Sequence, residues 1–547
     1  MDQQTTRAST AQPQILAAQD AFDRLTFLGW GWGLTAIVAG MAVSFLVFGY
    51  ALIYWRNADM DFVVIYNALV LNDGRPQWFF DHTGYITILT TKAWFELLHG
   101  LGLLVFYSLS TIPPISDPGA FDAAMTGAVR AGRILAFLIA TGCVLIFAML
   151  VRIIVRDWRV ALIATLAFAL SGGIAVHMRI LRSELVSAFP VIIAILILIA
   201  VGRRASVMRP FAIALAAALC VLGLENKVQA ILLIGVLPVL ILPFGCGASA
   251  SVPFWRQARS GWPAAIMAVV AALAAGWAAW SLVATGFDRA LLDAAQFHPL
   301  LLGRFAVYQA ALLVLICGCM IAYAMIWRIG AAETLAAVSA LVAGGSVALL
   351  LLNLEYSSSN VIAVFNPLEK MLTFADSKTA AAATGSSGTG ILWLLLDGVA
   401  SVFARYTFVL HSSPRPTVFL VWLIVPGIMF AWSRGERKVA IQALLLLLAA
   451  IGIDAMGVRR GLKSEYFIFT DPLIILAGAV LLNCFGEVRF QRWTYPIAMV
   501  LFGIHLLVGQ SEPVKSAFMR RGPESICEWD RQYLPLLPLP WCPSDQI

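Results

Sequence analysis

The sequence predicts an all-α, polytopic membrane protein with about 13 transmembrane helices. Three observations carry that prediction. First, 61% of the 547 residues are hydrophobic and only 12% are charged, a balance far from that of soluble domains. Second, apolar runs of about 18 or more residues recur from end to end, each long enough to cross a hydrocarbon core about 30 Å thick. Third, these runs are continuous Leu, Ile, Val and Ala without strict alternation, which argues against a barrel. Lipid cannot satisfy backbone polar groups, so continuous apolar spans must be helices.

Residues 1–24 are polar and read as a cytoplasmic N-terminal segment. The first apolar run, 25–55, is too long for the core of a cleaved leader, and no small-residue cleavage site follows it. It is expected to be a signal anchor. Further spans are expected near 129–151, 160–178, 185–202, 210–224, 229–244, 262–284, 305–327, 333–354, 416–432, 439–456, 471–486 and 495–510, after a first at 28–54. The pair 210–224 and 229–244 is unusually short and meets at Glu225-Asn226-Lys227. Polar breaks of this kind are tolerated only where they line a cavity or lie inside protein.

Orientation is read from short basic loops. Arg152–Arg159, Arg203–Arg209, Arg256–Arg259, Arg434–Lys438 and Arg489–Arg492 fall on one side of the span list. That side is expected to be cytoplasmic, with the N-terminus, in a multi-pass protein of the plasma (inner) membrane. An odd number of spans then puts the C-terminus outside. Three large features share the outer side. The first outer loop, 56–128, is expected to carry interfacial helices. A segment at 355–416 combines the mobile stretch KTAAAATGSSGTG with an apolar patch bearing Asp397 and Arg405, read as interfacial or re-entrant rather than spanning. The third is the tail, 511–547. It contains Cys527 and Cys542, a candidate disulfide in an oxidising compartment. Five other Cys lie in or beside apolar runs and read as packing residues.

The net charge of +7 suits a chain seated against anionic head groups. The basic residues are scattered over loops, which excludes nucleic acid as a natural partner. The chemistry-bearing residues cluster at the membrane mouth. Asp59 and Asp61 follow the first span directly, and Asp81 and His82 lie further along the same loop. Two acids on an extended segment can approach one ligand, one as general base and the other as its orienter or as a ligand for a divalent cation such as Mg or Mn. Their plain alternative is solvation of a loop end. The short loop 177–184 crowds His177, Arg179, Arg182 and Glu184 against the membrane, with Glu184 at a helix start where the dipole favours an anion. Lys227 sits at the bend of the short pair and needs an anionic partner. Arg459, Arg460, Lys463 and Tyr466 precede the span at 471–486; they suit a phosphate clamp, or simple interfacial anchoring.

In chain order, Asp59-Met60-Asp61, Arg130-Ala131-Gly132-Arg133, Arg182-Ser183-Glu184-Leu185, Leu224–Gln229 and Lys463–Pro472 resemble a GT-C-type glycosyltransferase, the polytopic class that takes sugars from polyprenyl-phosphate donors, over roughly 25–482. The resemblance is to the dolichyl-phosphate-mannose mannosyltransferase and aminoarabinose transferase superfamily. It implies a catalytic module at 25–510 that transfers a sugar, with inversion, to a lipid, glycan or protein acceptor at the extracytoplasmic face. It implies Asp59 or Asp61 as base, Glu184 as acidic partner, and Lys227, Arg459, Arg460, Lys463 and Tyr466 facing the donor phosphate. Arg133, His177, Arg179, Arg182, Asp81 and His82 would face substrate. The sequence departs from that pattern in having Glu at the second acidic position and no large C-terminal periplasmic domain. Two other classes stay open: a transporter or flippase for a polyprenyl-linked lipid, and an O-antigen-ligase-like or polymerase-like enzyme. Internal repeats, which many transporters carry, are not visible.

Overall fold

The computed structural model describes residues 28–57, 61–76, 84–155, 157–202, 208–244, 261–284, 301, 305–327, 331–353, 366–369, 371–372, 390–407, 417–457, 464–485, 494–518, 527 and 533–542. Among these residues there are helices and turns and no strand. A helix lies at each of the expected spans. Seven of them are long and apolar enough to cross a membrane by length and composition alone. The protein is therefore a helical membrane protein, built as a bundle around one extended apolar core, a smaller second one and two minor clusters.

The first nine helices position the site. They are α1 (Leu28–Tyr50), α2 (Val63–Asn72), α3 (Tyr85–Gly100), α4 (Pro118–Ile154), α5 (Trp158–Ala169), α6 (Gly172–His177), α7 (Ser183–Gly202), α8 (Arg209–Asn226) and α9 (Ala230–Ile241). Three of them, α4, α5 and α6, depart from the expected boundaries. Helix α4 starts at Pro118, eleven residues before the expected span. Asp117 caps it by accepting from the Ala120 amide at 3.0 Å, and Pro118 occupies the first turn, where its missing N–H costs nothing. The expected span 160–178 is broken into α5 and α6. Ser171 starts the second piece by accepting from the Ile174 amide at 3.4 Å. The 56–128 segment carries helices, as expected: α2 and α3 lie within it, and Val63–Val70 are buried throughout.

Helices α7 and α8 pack closely, and so do α8 and the helix Ala331–Asn353. Gly223 makes the first contact possible: a Cβ there would meet the Ser187 carbonyl oxygen at 2.7 Å. Gly173 does the same for α6 against the 3-10 turn Ser464–Phe469, where a Cβ would meet the Ile468 amide nitrogen at 2.8 Å. The larger core runs through α4, α5, α7, α9 and the helices Val418–Ser433, Arg437–Gly457 and Asp471–Phe485. The apolar patch of the 355–416 segment forms the helix Gly390–Thr407. The two tail cysteines are bonded to each other, Cys527 to Cys542.

Candidate functional site

Helix breaks place polar side chains in this bundle. Regular helix consumes its own backbone groups, so each break leaves donors and acceptors that side chains must meet. Three breaks converge: the bend between α8 and α9, the α6–α7 turn, and the 3-10 turn before Asp471–Phe485.

Glu184 stands at their meeting point, in the first turn of α7 and fully buried. Lys227 donates to its Oε1 at 2.6 Å. Arg182 donates to both carboxylate oxygens, from Nε at 3.2 Å and from a terminal nitrogen at 3.1 Å. His177 Nε2 lies 3.7 Å from Oε2, while its Nδ1 lies 2.7 Å from the Gly173 carbonyl. A carbonyl only accepts, so Nδ1 carries a proton. Arg182 also reaches Glu465 at 3.5 Å, and the Lys227 ammonium lies 5.9 Å from the centre of the Tyr466 ring. One anion thus faces two cations and an imidazole, with a second carboxylate and an aromatic face at the edge. Charges this deeply buried persist only when paired.

The bend carrying Lys227 is itself fixed from both sides. The Asn226 amide nitrogen donates to the Ser183 carbonyl at 2.6 Å, and its oxygen accepts from the Thr87 amide at 3.0 Å. The Gly84 amide donates to the Asn226 carbonyl at 2.8 Å. Ser187 points its hydroxyl at the Gly223 and Lys227 carbonyls, at 2.9 and 3.0 Å. The segment between α1 and α4 is therefore tied to the same bend.

Asp61 occupies a neighbouring position with a different role. It is fully buried, and Arg133 Nε donates to one oxygen at 2.9 Å while the Leu181 amide donates to the other at 2.6 Å. Arg133 is completed by the carbonyls of Gly49, Leu52 and Ile53. Burial pushes the Asp61 carboxyl upward, against the opposing pull of Arg133, the Leu181 amide and Arg182. The pair joins the end of α1, the loop and α4 to the turn that carries Arg182 and Glu184. With both oxygens engaged, one of them by a guanidinium, Asp61 fits a divalent cation poorly. Among the described residues no group of three His, Cys, Asp or Glu side chains is placed to hold a metal ion.

Arg179 is also buried, but it faces elsewhere. It donates to the Ala175 carbonyl, Ser44 and, at 2.8 Å, Gln510. It ties α1 to the C-terminal part of the bundle and stands apart from Glu184. Asp59, Asp81, His82, Arg459, Arg460 and Lys463 lie outside the described residues. The described chain resumes at Gly84, bonded to Asn226, and at Ser464, at the start of the turn that carries Glu465 and Tyr466.

Four members of this site are absent from the expected set: Asn226, Ser187, Thr87 and Glu465. Asn226 and Glu465 had a signal, since each adjoins an expected residue. A second buried network was not expected either. Asp454 accepts from Tyr406 and Thr470, each at 2.8 Å.

The exposed face of α4 changes character along its length. Its exposed residues change from Asp122, Ala123 and Arg130 to Leu138, Ile146, Met149 and Ile153. The polar-to-apolar boundary falls between Arg130 and Leu138, the stretch that contains Arg133. At 1.5 Å per residue, Arg133 lies about 30 Å along the axis from the Arg152 end of the helix, the thickness of a hydrocarbon core.

No protein-family model matches the chain, and neither a curated protein nor a solved structure does.

Proposed function

We propose that the protein is an integral membrane glycosyltransferase of GT-C type. It moves a sugar from a polyprenyl-phosphate donor to an acceptor at the extracytoplasmic membrane surface. One observation supports this above the rest: Glu184, Arg182, His177, Lys227 and Tyr466, drawn from three separate helix breaks, meet in one buried cluster. The level of that cluster fits a lipid-borne donor. The α6–α7 turn that carries it is bonded to Asp61, whose partner Arg133 lies at the polar-to-apolar boundary of α4.

Displacement at an anomeric carbon needs a base on the incoming hydroxyl and positive charge on the departing phosphate. Lys227 and Arg182, with Arg459, Arg460 and Lys463 just upstream of Ser464, are the cations assigned to the phosphate. Glu184 holds Lys227 and Arg182 in place between turnovers and keeps their charge compensated. Asp61 is occupied by Arg133 and Leu181, so the base is assigned to Asp59, two residues upstream. A single displacement inverts the anomeric centre. The tail supports an outer assignment: it carries the Cys527–Cys542 bond and packs on the 56–128 segment, and such bonds persist in oxidising compartments.

The test is sugar transfer by purified protein in liposomes supplied with a panel of polyprenyl-phosphate sugars. Asp59→Asn is near-isosteric and removes only charge and basicity. Donor-dependent transfer in the wild type and its loss in Asp59→Asn, with folding intact, is the expected result. Unchanged transfer in Asp59→Asn removes the loop-1 base from the mechanism.

A further inference from the structure

We propose that the disulfide-bonded C-terminal tail is a strap that holds the first outer loop in position. Residues 533–542 read YLPLLPLPWC, a Pro-rich segment that cannot form helix and instead takes two tight turns, closed by the Leu537 amide on the Leu534 carbonyl at 2.9 Å and the Cys542 amide on the Leu539 carbonyl at 3.1 Å. These turns aim Leu534, Leu537 and Leu539 inward, and all three are buried. They complete the second apolar core, whose other members include Tyr54 just after α1, Phe62 and Tyr66 of the 56–128 segment, Phe121 and Met125 of α4, and Leu181.

The fit is specific as well as apolar. The Leu536 amide donates to the Tyr66 hydroxyl at 3.2 Å. The Trp541 ring packs at 6.0 Å from Tyr54 and 6.5 Å from Phe121, measured between ring centres. Tyr54 and Phe62 bracket Asp59 and Asp61 in the chain. Leu181 is the residue whose amide caps Asp61. The tail therefore packs on the layer that holds Tyr54, Phe62 and Leu181, the last bonded to Asp61. The Cys527–Cys542 bond closes the chain segment that contains the three inward leucines into a ring, next to Trp541. A closed ring has few conformations to lose when it docks; an open tail has many. The bond thus holds the strap down, and through it the segment that carries Asp59 and Asp61. The link to transfer rests on the reading of that segment as the source of the base; the strap itself does not.

The test reads loop order directly, by amide hydrogen exchange on the full protein in detergent. The oxidised wild type is compared with the same folded protein treated with dithiothreitol. The reagent takes up the disulfide's place: it becomes a cyclic disulfide, and two protonated thiols remain at Cys527 and Cys542. The expected result is exchange faster by about tenfold or more in peptides covering 63–72 and 118–129, with 437–457 unchanged. Leu537→Ala, which keeps the disulfide, is expected to produce the same selective rise. Unchanged exchange in 63–72 after reduction overturns the proposal. A rise spread equally over 437–457 overturns it too, because the bond would then stabilise the whole bundle rather than this loop. Both readouts are independent of any transferase assay, so a failure of the glycosyltransferase reading leaves them decisive. Where transfer is measurable, reduction is expected to lower it.

Discussion

Asp61→Asn is the sharpest perturbation of the account, because Asp61 is assigned a structural task and Asp59 the chemical one. The substitution changes almost no volume. The asparagine oxygen can still accept from the Leu181 amide, now at 2.6 Å from the carboxylate. Its amide nitrogen would then face Arg133 Nε, donor against donor, where the carboxylate oxygen now lies at 2.9 Å. Arg133 would keep only the Gly49, Leu52 and Ile53 carbonyls for a buried charge. Leaving one member of a buried ion pair uncompensated costs about 3–5 kcal/mol. Both side chains are fully inaccessible, so no solvent screening reduces that figure. Removing the charge as well, in Asp61→Asn with Arg133→Gln, restores a neutral donor–acceptor pair. The double-mutant cycle should show about 2–3 kcal/mol of coupling. Unfolding by sodium dodecyl sulfate, followed by tryptophan fluorescence, measures all four proteins. Asp61→Asn within about 0.5 kcal/mol of the wild type, together with lost transfer, refutes the reasoning: Asp61 would then be the base and its pairing incidental.

Three further outcomes are expected. Lys227→Met strips Glu184 of the partner at 2.6 Å but leaves Arg182. It should destabilise by about 1–3 kcal/mol and lower transfer by about 100-fold or more, the second measured as initial rate at saturating donor. Gly223→Ala puts a Cβ on the Ser187 carbonyl and the Val191 side chain at 2.7 and 2.8 Å. It should cost about 1–3 kcal/mol in the same unfolding assay, whereas Gly142→Ala, with open space around it, should not. Asn226→Ala removes the bonds to Ser183 and Thr87. It should cost about 2 kcal/mol and speed hydrogen exchange in peptides covering 84–91.

The helices were legible because continuous apolar runs have one solution in lipid. The bend at Glu225-Asn226-Lys227 was legible for the same reason, since three polar residues cannot sit in a lipid-facing span. Asp61 was visible, but its role was not. Its partner Arg133 lies 72 residues away, and no local period links a loop acid to a cation on a distant helix. Lys227 was seen to need an anionic partner, and Glu184, 43 residues away, was read only as an anion at a helix start; folding alone pairs them. The early start of α4 was hidden by the polar exposed residues of its outer part, which read as loop. Gly173 and Gly223 looked like ordinary small residues, because the backbones they admit belong to other helices. Asp454 passed unremarked as one acid in an apolar run. Its partners Tyr406 and Thr470 come from flanking segments.

The most direct measurement follows a sugar and its lipid together. Wild-type protein is placed in liposomes with a doubly labelled polyprenyl-phosphate sugar and a mixture of lipid and glycan acceptors. A glycosyltransferase moves the sugar label to acceptor while an equal amount of free polyprenyl phosphate appears, and that is the expected result. Intact labelled donor crossing the bilayer with no sugar released would contradict it and identify a transporter.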